Sequence, residues 1–158
     1  MPDVALRPVE DGDLDALFEQ QRDPEAVRMA AFTAQDPSDR SAFDAHMARV
    51  RTAPDITHRA VTVDGELVGS IASFPIEGQT EITYWIDRAA WGQGIATRAV
   101  ALLLDLVPDR PVYARAASDN AGSLRVLHKS GFAAVGTEIS FATARNEEIE
   151  ETILRLDR

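Results

Sequence analysis

Between a run rich in β-branched and aromatic residues and a run of good helix formers stands the segment Trp91-Gly92-Gln93-Gly94-Ile95-Ala96-Thr97-Arg98. Without side chains, Gly92 and Gly94 let several main-chain N–H groups converge, and the positive end of a following helix adds its dipole. A phosphate or diphosphate can then be held by backbone donors alone. Two other phosphate loops are excluded. A Walker loop requires Gly-Lys-Ser/Thr where Ala96-Thr97 stands, and a dinucleotide fingerprint wants a third small residue where this chain has Thr97 or Arg98. Taken alone, the segment is equally compatible with a plain strand-to-helix turn in which glycine eases packing. Other chemistries have little to stand on. The chain has no Cys, which removes disulfides, thiolate metal sites and cysteine nucleophiles, and its three His (46, 58 and 128) share no ligand-pair spacing, so no metal is expected.

The elements that must position this loop follow from pattern. A length of 158 residues, 45% hydrophobic and 27% charged, is that of one globular domain. Val4 to Pro8 reads as a strand, and Asp11 is placed to cap a helix with Leu14, Leu17 and Phe18 on its apolar face. Asp23-Pro24 breaks that helix, a short one through Ala26 to Ala31 follows, and Ser38 is placed to cap another through Phe43, Met47 and Val50. Arg59 to Val63, Asp64-Gly65 and Leu67 to Phe74 form a hairpin, and Gly78 returns the chain into a third strand, Glu81 to Ile86. After the glycine loop a helix runs to Pro108 and Val112 to Ala116 is a strand, which makes a right-handed crossover with two parallel strands. A helix from Asn120 to Lys129, ended by Gly131, and strands over 133–141 and 148–156 complete the order.

With 26 acidic against 16 basic residues the formal charge is -10, which opposes nucleic acid and favours cationic partners such as amines, or serves solubility alone. The N-terminus has no charged-then-apolar leader and no apolar run approaches the roughly 18 residues of a membrane span, so the expectation is a cytoplasmic protein with no membrane partner.

Two separate motifs resemble those of the GNAT superfamily of N-acetyltransferases. The loop is similar to the family's pyrophosphate motif, Q/R-x-x-G-x-G/A, with Gly94 and Ala96 at its last two fixed positions and Trp91 at the first. In the branch that modifies ribosomal-protein N-termini and small amines, a strand reading Y-W-I-D leads into W-G-x-G-x-A-T, as Tyr84-Trp85-Ile86-Asp87 here leads into Trp91 to Thr97. Asn120 to Ser123 and Lys129-Ser130-Gly131-Phe132 resemble the later N-x-x-S helix ending in K-x-G-F. The resemblance implies a single N-acetyltransferase domain over residues 1–158 with a mixed α/β fold: a mostly antiparallel sheet, splayed between its fourth and fifth strands and flanked by about four helices. It implies acetyl coenzyme A as co-substrate, with Trp85, Ile86, Trp91, Gly92, Gln93, Gly94, Ile95, Ala96, Thr97, Asn120 and Ser123 as its binding residues and no metal. Asn120 also suits an ordinary helix cap.

For amine acylation the tasks are removal of a proton from the ammonium and return of one to the thiolate. The resemblance implies Glu81 as base; an exposed strand charge is its plainer reading. The family's frequent Tyr acid corresponds to Leu127, which cannot donate, so Ser123 is the replacement implied, with Tyr84 as a third catalytic candidate and Tyr113 as another phenol. At pH 7 an α-amine of pKa about 8 is roughly 10% neutral and a lysine about 0.04%, so a sparsely equipped site suits low-pKa amines. The acceptor is expected to be a small-molecule amine or a protein N-terminus, and a homodimer is left open. The alternative is a domain of the same fold that binds coenzyme A as a non-catalytic sensor.

Overall fold

The structure, a computed structural model, describes residues 2–158. Its strands are β1 (Val4–Pro8), β2 (Thr57–Val63), β3 (Glu66–Ile76), β4 (Gln79–Ile86), β5 (Val112–Ala117), β6 (Ala133–Ala142) and β7 (Glu147–Leu156). They form one sheet in the order β1-β2-β3-β4-β5-β7-β6. Every pair is antiparallel except β4 with β5, which are parallel across the crossover. Five helices, against the four or so expected, flank it: α1 (Leu14–Arg22), α2 (Pro24–Ala30), α3 (Arg40–Thr52), α4 (Ile95–Leu106) and α5 (Ala121–Lys129). Among the described residues, no helix is long and apolar enough to cross a membrane.

Both hairpins of the β2-β3-β4 meander turn on a left-handed pair, Asp64 and Gly65 (φ 52° and 86°) and Glu77 and Gly78 (φ 50° and 79°). Two left-handed residues twist a two-residue turn to match the strands it joins, which fixes the register. Register then sorts the strand residues onto two faces. Val61, Ile71, Ile82, Ile86 and Val112 pack under α4 and α5 with Leu103 and Leu127. On the other face Ala60 meets Phe18, Phe43 and Met47 of α1 and α3, with the two phenyl rings edge-on at 5.2 Å.

Two helix starts differ from the sequence expectation. Asp11 points away to Arg51 (2.8 Å), and it is Asp13 that accepts from the Glu10 N–H (2.7 Å) while forming a two-point pair with Arg7. Ser38 donates its N–H to Asp36, and Asp39 caps α3 by accepting from the Ala42 N–H at 3.0 Å. In both places the helix begins later than the first capping residue met along the chain. At α3 the Asp39 carboxylate is a stronger acceptor at a positive helix end than the Ser38 hydroxyl, whereas the start of α1 carries no side-chain cap.

The feature that shapes the site is the β4/β5 junction. β4 pairs with β3 along its whole length, yet meets β5 only at Thr80 with Val112 and Glu81 with Tyr113. Beyond Glu81 the two strands part, which is the expected splay.

Candidate functional site

The split exposes one edge of β4. The Asp87 N–H donates to Val68 O (2.7 Å), so the alternation of an antiparallel ladder turns the Trp85 and Thr83 N–H groups toward β3 and those of Ile86 and Tyr84 toward the split. The Ile86 carbonyl on that edge is taken by the Trp91 indole N–H at 2.8 Å. Trp91 therefore laces the glycine loop to the end of β4 while the residue stays 42% exposed. Trp85 lies on the opposite face, its indole N–H donating to Gln20 O of α1 (3.0 Å).

At the mouth of the split, Gly92 (φ 76°) and Gly94 (φ 78°) are left-handed, and Gly94 is the N-cap of α4. The first helical bond is Arg98 N–H to Gly94 O (3.1 Å), which leaves the N–H groups of Ile95, Ala96 and Thr97 without partners inside the helix. A β-carbon built on either glycine meets nothing within 4 Å, so the space over the loop is open. Gln93 folds back to Ala89 O, and the Ile95 side chain is anchored in the core. The segment thus presents main-chain donors outward at a positive helix end, suited to an anion. Arg125 and Lys129, one helical turn apart on α5, line the same cavity as the loop. Lys129 belongs to the K-x-G-F motif, whereas Arg125 carries no motif of its own and is marked only by its spacing of four from Lys129 on one helix.

Deeper in, Tyr84 Oη and Ser123 Oγ lie 2.8 Å apart. Burial pushes the Tyr84 phenol above its ordinary value of 10.0, and the bond to Ser123 draws it part of the way back. Glu81 sits on the other face of β4, where burial raises its carboxyl above 4.5, Arg115 at 3.3 Å lowers it, and the nearby Glu151 raises it again. Arg115 also pairs with Glu138 (2.9 Å) and Glu151 (3.3 Å), so the cation is more than neutralised. Both ends of the Asn120 amide are engaged: Oδ1 accepts from the Ser123 N–H (3.2 Å) and Nδ2 donates to Met29 O (3.3 Å). Asn120 is therefore the cap of α5 and a tie to α2.

A cavity of about 1190 Å³ joins these groups, reaching Gly92 to Thr97 apart from Gln93, Tyr84, Ser123 and Asn120, Glu81 and Arg115, and the space beneath α2 and α3. Tyr113, although paired with Glu81 across the strands, does not line it. Among the described residues no cluster of His, Asp and Glu is arranged to hold a metal.

The sequence model of the acetyltransferase (GNAT) domain matches residues 3–133. No curated protein matches the chain at the level of sequence. Among similar solved structures are three acetyltransferase-fold proteins. The Vibrio cholerae spermidine N-acetyltransferase, in complex with CoA and spermine, is 15% identical, with a TM-score of 0.84 over 98% of this chain and 95% of that one. The Brucella melitensis ribosomal-protein-alanine N-acetyltransferase is 20% identical, with a TM-score of 0.81 over 98% and 99%. Mycobacterium smegmatis RimJ, in complex with CoA-disulfide, is 22% identical, with a TM-score of 0.80 over 98% and 81%. At these identities the likeness is one of fold, and it extends over β6 and β7, which apart from Ala133 lie beyond the family match.

Proposed function

The chain belongs to the GNAT family of N-acetyltransferases, and on that premise we propose that it moves an acetyl group from acetyl coenzyme A to a primary amine by direct attack within a ternary complex. The observation that carries this reading is the parting of β4 from β5 beyond Glu81, with the Tyr84–Ser123 pair on one face of the opening and Glu81 on the other.

Acetyl coenzyme A supplies the activated thioester. The main-chain N–H groups of Ile95, Ala96 and Thr97, opened by Gly92, Gln93 and Gly94, receive the diphosphate, and Arg125 and Lys129 add positive charge. The free edge of β4 at Tyr84 and Ile86 receives the amides of the pantetheine arm, and an N–H from that edge polarises the thioester carbonyl. Trp91 closes the loop over the end of β4, while Trp85 and Asn120 hold α1, α2 and α5 in place around the opening. Glu81, acting through water, accepts the proton lost as the nitrogen bonds to the carbonyl carbon. As the carbon–sulfur bond breaks, Tyr84 Oη gives its proton to the departing sulfur and is resupplied through Ser123. Its raised pKa keeps Tyr84 protonated at neutral pH, and the Ser123 hydroxyl at 2.8 Å holds the phenol in place. The acceptor is a small-molecule amine or a protein N-terminus.

Thiol release from acetyl coenzyme A with a panel of α-amines tests this. Turnover is expected, with Tyr84→Phe lowering kcat by about 100-fold while coenzyme affinity changes less than about twofold. Saturable coenzyme binding with no release above background would convert the protein into a coenzyme-binding sensor.

A further inference from the structure

The cavity does more than pass a thioester arm through the sheet. On the face that carries Glu81 it forms a compartment whose floor is set by register: His58 lies beside Ala72, Ala72 beside Thr83, and Phe74 beside Glu81. Directly opposed residues of antiparallel strands share a face at about 5 Å. The roof is Met29 at the end of α2, Phe32 just after it, and Phe43 and Met47 of α3. Charge is confined to the margins. Asp36, Asp39 and Asp55 are exposed at the rim, Glu81, Glu151 and Arg115 stand at the inner end, and His58 is neutral because burial takes its pKa to about 4.

This roof is held in place by the protein itself. α2 ends in a γ-turn of the strained, positive-φ kind: Ala31 has φ 67° and ψ -49°, and the Phe32 N–H closes on Ala30 O at 2.7 Å. Such a conformation at a residue with a β-carbon persists only where its surroundings over-determine it. Here they do. Ala31 is fully buried against Ala117 and Ala142, and its carbonyl accepts from the Ala144 N–H at 3.1 Å. The Arg28 and Met29 carbonyls, which a helix end leaves open, accept from Arg145 Nε (3.0 Å) and Asn120 Nδ2 (3.3 Å). Three distant donors thus fix Met29 and Phe32 against the compartment, so an occupant meets a wall already ordered.

We propose that the acceptor is a monoamine on a compact apolar body, aromatic or branched aliphatic, seated between Ala72 and Phe74 below and Met29, Phe32 and Met47 above, with its nitrogen toward Glu81. The inference rests on the transferase reading above and deepens it. A polyamine fits less well: its chain would have to cross the Phe and Met walls before a second ammonium reached Asp36, Asp39 or Asp55 at the rim. A small hydroxylated amine would leave the apolar walls unfilled.

The test measures thiol release by the full chain at saturating acetyl coenzyme A with 2-phenylethylamine, isopentylamine, ethanolamine and spermidine. The two apolar amines are expected to exceed the other two in kcat/KM by about tenfold or more, chiefly through KM, as one or a few methylenes in a pocket allow. Phe32→Ala is expected to raise KM for 2-phenylethylamine by about tenfold with a smaller change in kcat. Ala31→Gly, which relieves the turn but removes a methyl buried against Ala117 and Ala142, is expected to raise the same KM several-fold. Spermidine or ethanolamine as the preferred acceptor, or a KM unmoved in both variants, overturns the inference and leaves the transferase standing. Absence of release with every amine, at coenzyme concentrations that saturate binding, overturns the transferase reading and this inference together.

Discussion

The two ends of the cavity are built by opposite means. At the proposed coenzyme end the glycines of the loop leave the main-chain N–H groups of Ile95, Ala96 and Thr97 open at the start of α4, and the side chains of Ile95 and Trp91 serve to anchor the loop. At the proposed acceptor end the walls are side chains from α2, α3 and three strands. They are held by bonds between residues 26, 91 and 117 positions apart: Arg145 with Asp119, Asn120 with Met29, and Arg145 with Arg28. A backbone device recognises what every user of one coenzyme shares, a diphosphate. A device of side chains carries what distinguishes one acceptor from another. The first is therefore sensitive to the few residues that set its main-chain path, and the second to many.

The largest effect should come from Gly94→Val, which attacks the backbone device where it has least tolerance. Gly94 holds φ 78° with no atom near its missing β-carbon, so the damage arises from the left-handed backbone and from a branched side chain placed over the N–H groups. Coenzyme affinity is expected to fall by about 100-fold by calorimetry, with Tm lowered by a few degrees. An unchanged affinity would remove the distinction between the two ends, because the loop would then be an ordinary turn.

Glu81→Gln acts where the two ends meet. Glu81 accepts a proton only when ionised, and burial lifts its carboxyl above 4.5, so the wild-type kcat should fall as pH drops through that raised value. The amide removes this limb. The expectation is a kcat roughly 10- to 100-fold lower at neutral pH and a profile displaced toward higher pH, where the amine deprotonates itself. Arg115, Glu138 and Glu151 set the field around this group, and coenzyme affinity should not change. A profile that superimposes on the wild type would make Glu81 a partner of Arg115 and nothing more.

The same contrast explains what could be read from the sequence. Asp64-Gly65, Gly78 and the glycines of the loop announce themselves, because each marks a backbone conformation that few residues adopt and that neighbours in the chain determine. The resemblance through Tyr84 to Thr97 and Asn120 to Phe132 is legible for the same reason. Ala31 announces nothing, since alanine is a poor marker of a positive φ and the groups that impose it, Ala117, Ala142 and Ala144, are more than eighty residues away. Arg115 likewise draws its three carboxylates from β4, β6 and β7, which only the sheet order brings together. Ser38 and Asp11 suit a cap by type, yet Asp39 caps α3 and no side chain caps α1, which depends on where each helix begins. Tyr84 and Ser123 both stood out as candidates, whereas their 2.8 Å contact follows from how α5 crosses the parted strands.

Asn120 belongs to both ends, and substituting it offers the finest test of how separate they are. Its Oδ1 caps α5 through Ser123, next to the proposed acid, while its Nδ2 holds the Met29 carbonyl at the acceptor wall. Asn120→Asp keeps an acceptor for the Ser123 N–H, strengthened by its charge at a helix start, but turns an oxygen toward Met29 O in place of a donor. Coenzyme affinity should stay within about twofold, and the acceptor KM should rise several-fold as α2 loosens, because an unpaired buried carbonyl disfavours the wall in its present position by roughly 1–3 kcal/mol. Asn120→Ala loses both bonds and should add a stability loss of about 0.5–2 kcal/mol from the missing cap, visible as a lower Tm. If the Asp variant moves coenzyme affinity and acceptor KM in equal measure, the ends behave as one cooperative unit, and Asn120 is the residue through which α5 and α2 are coupled.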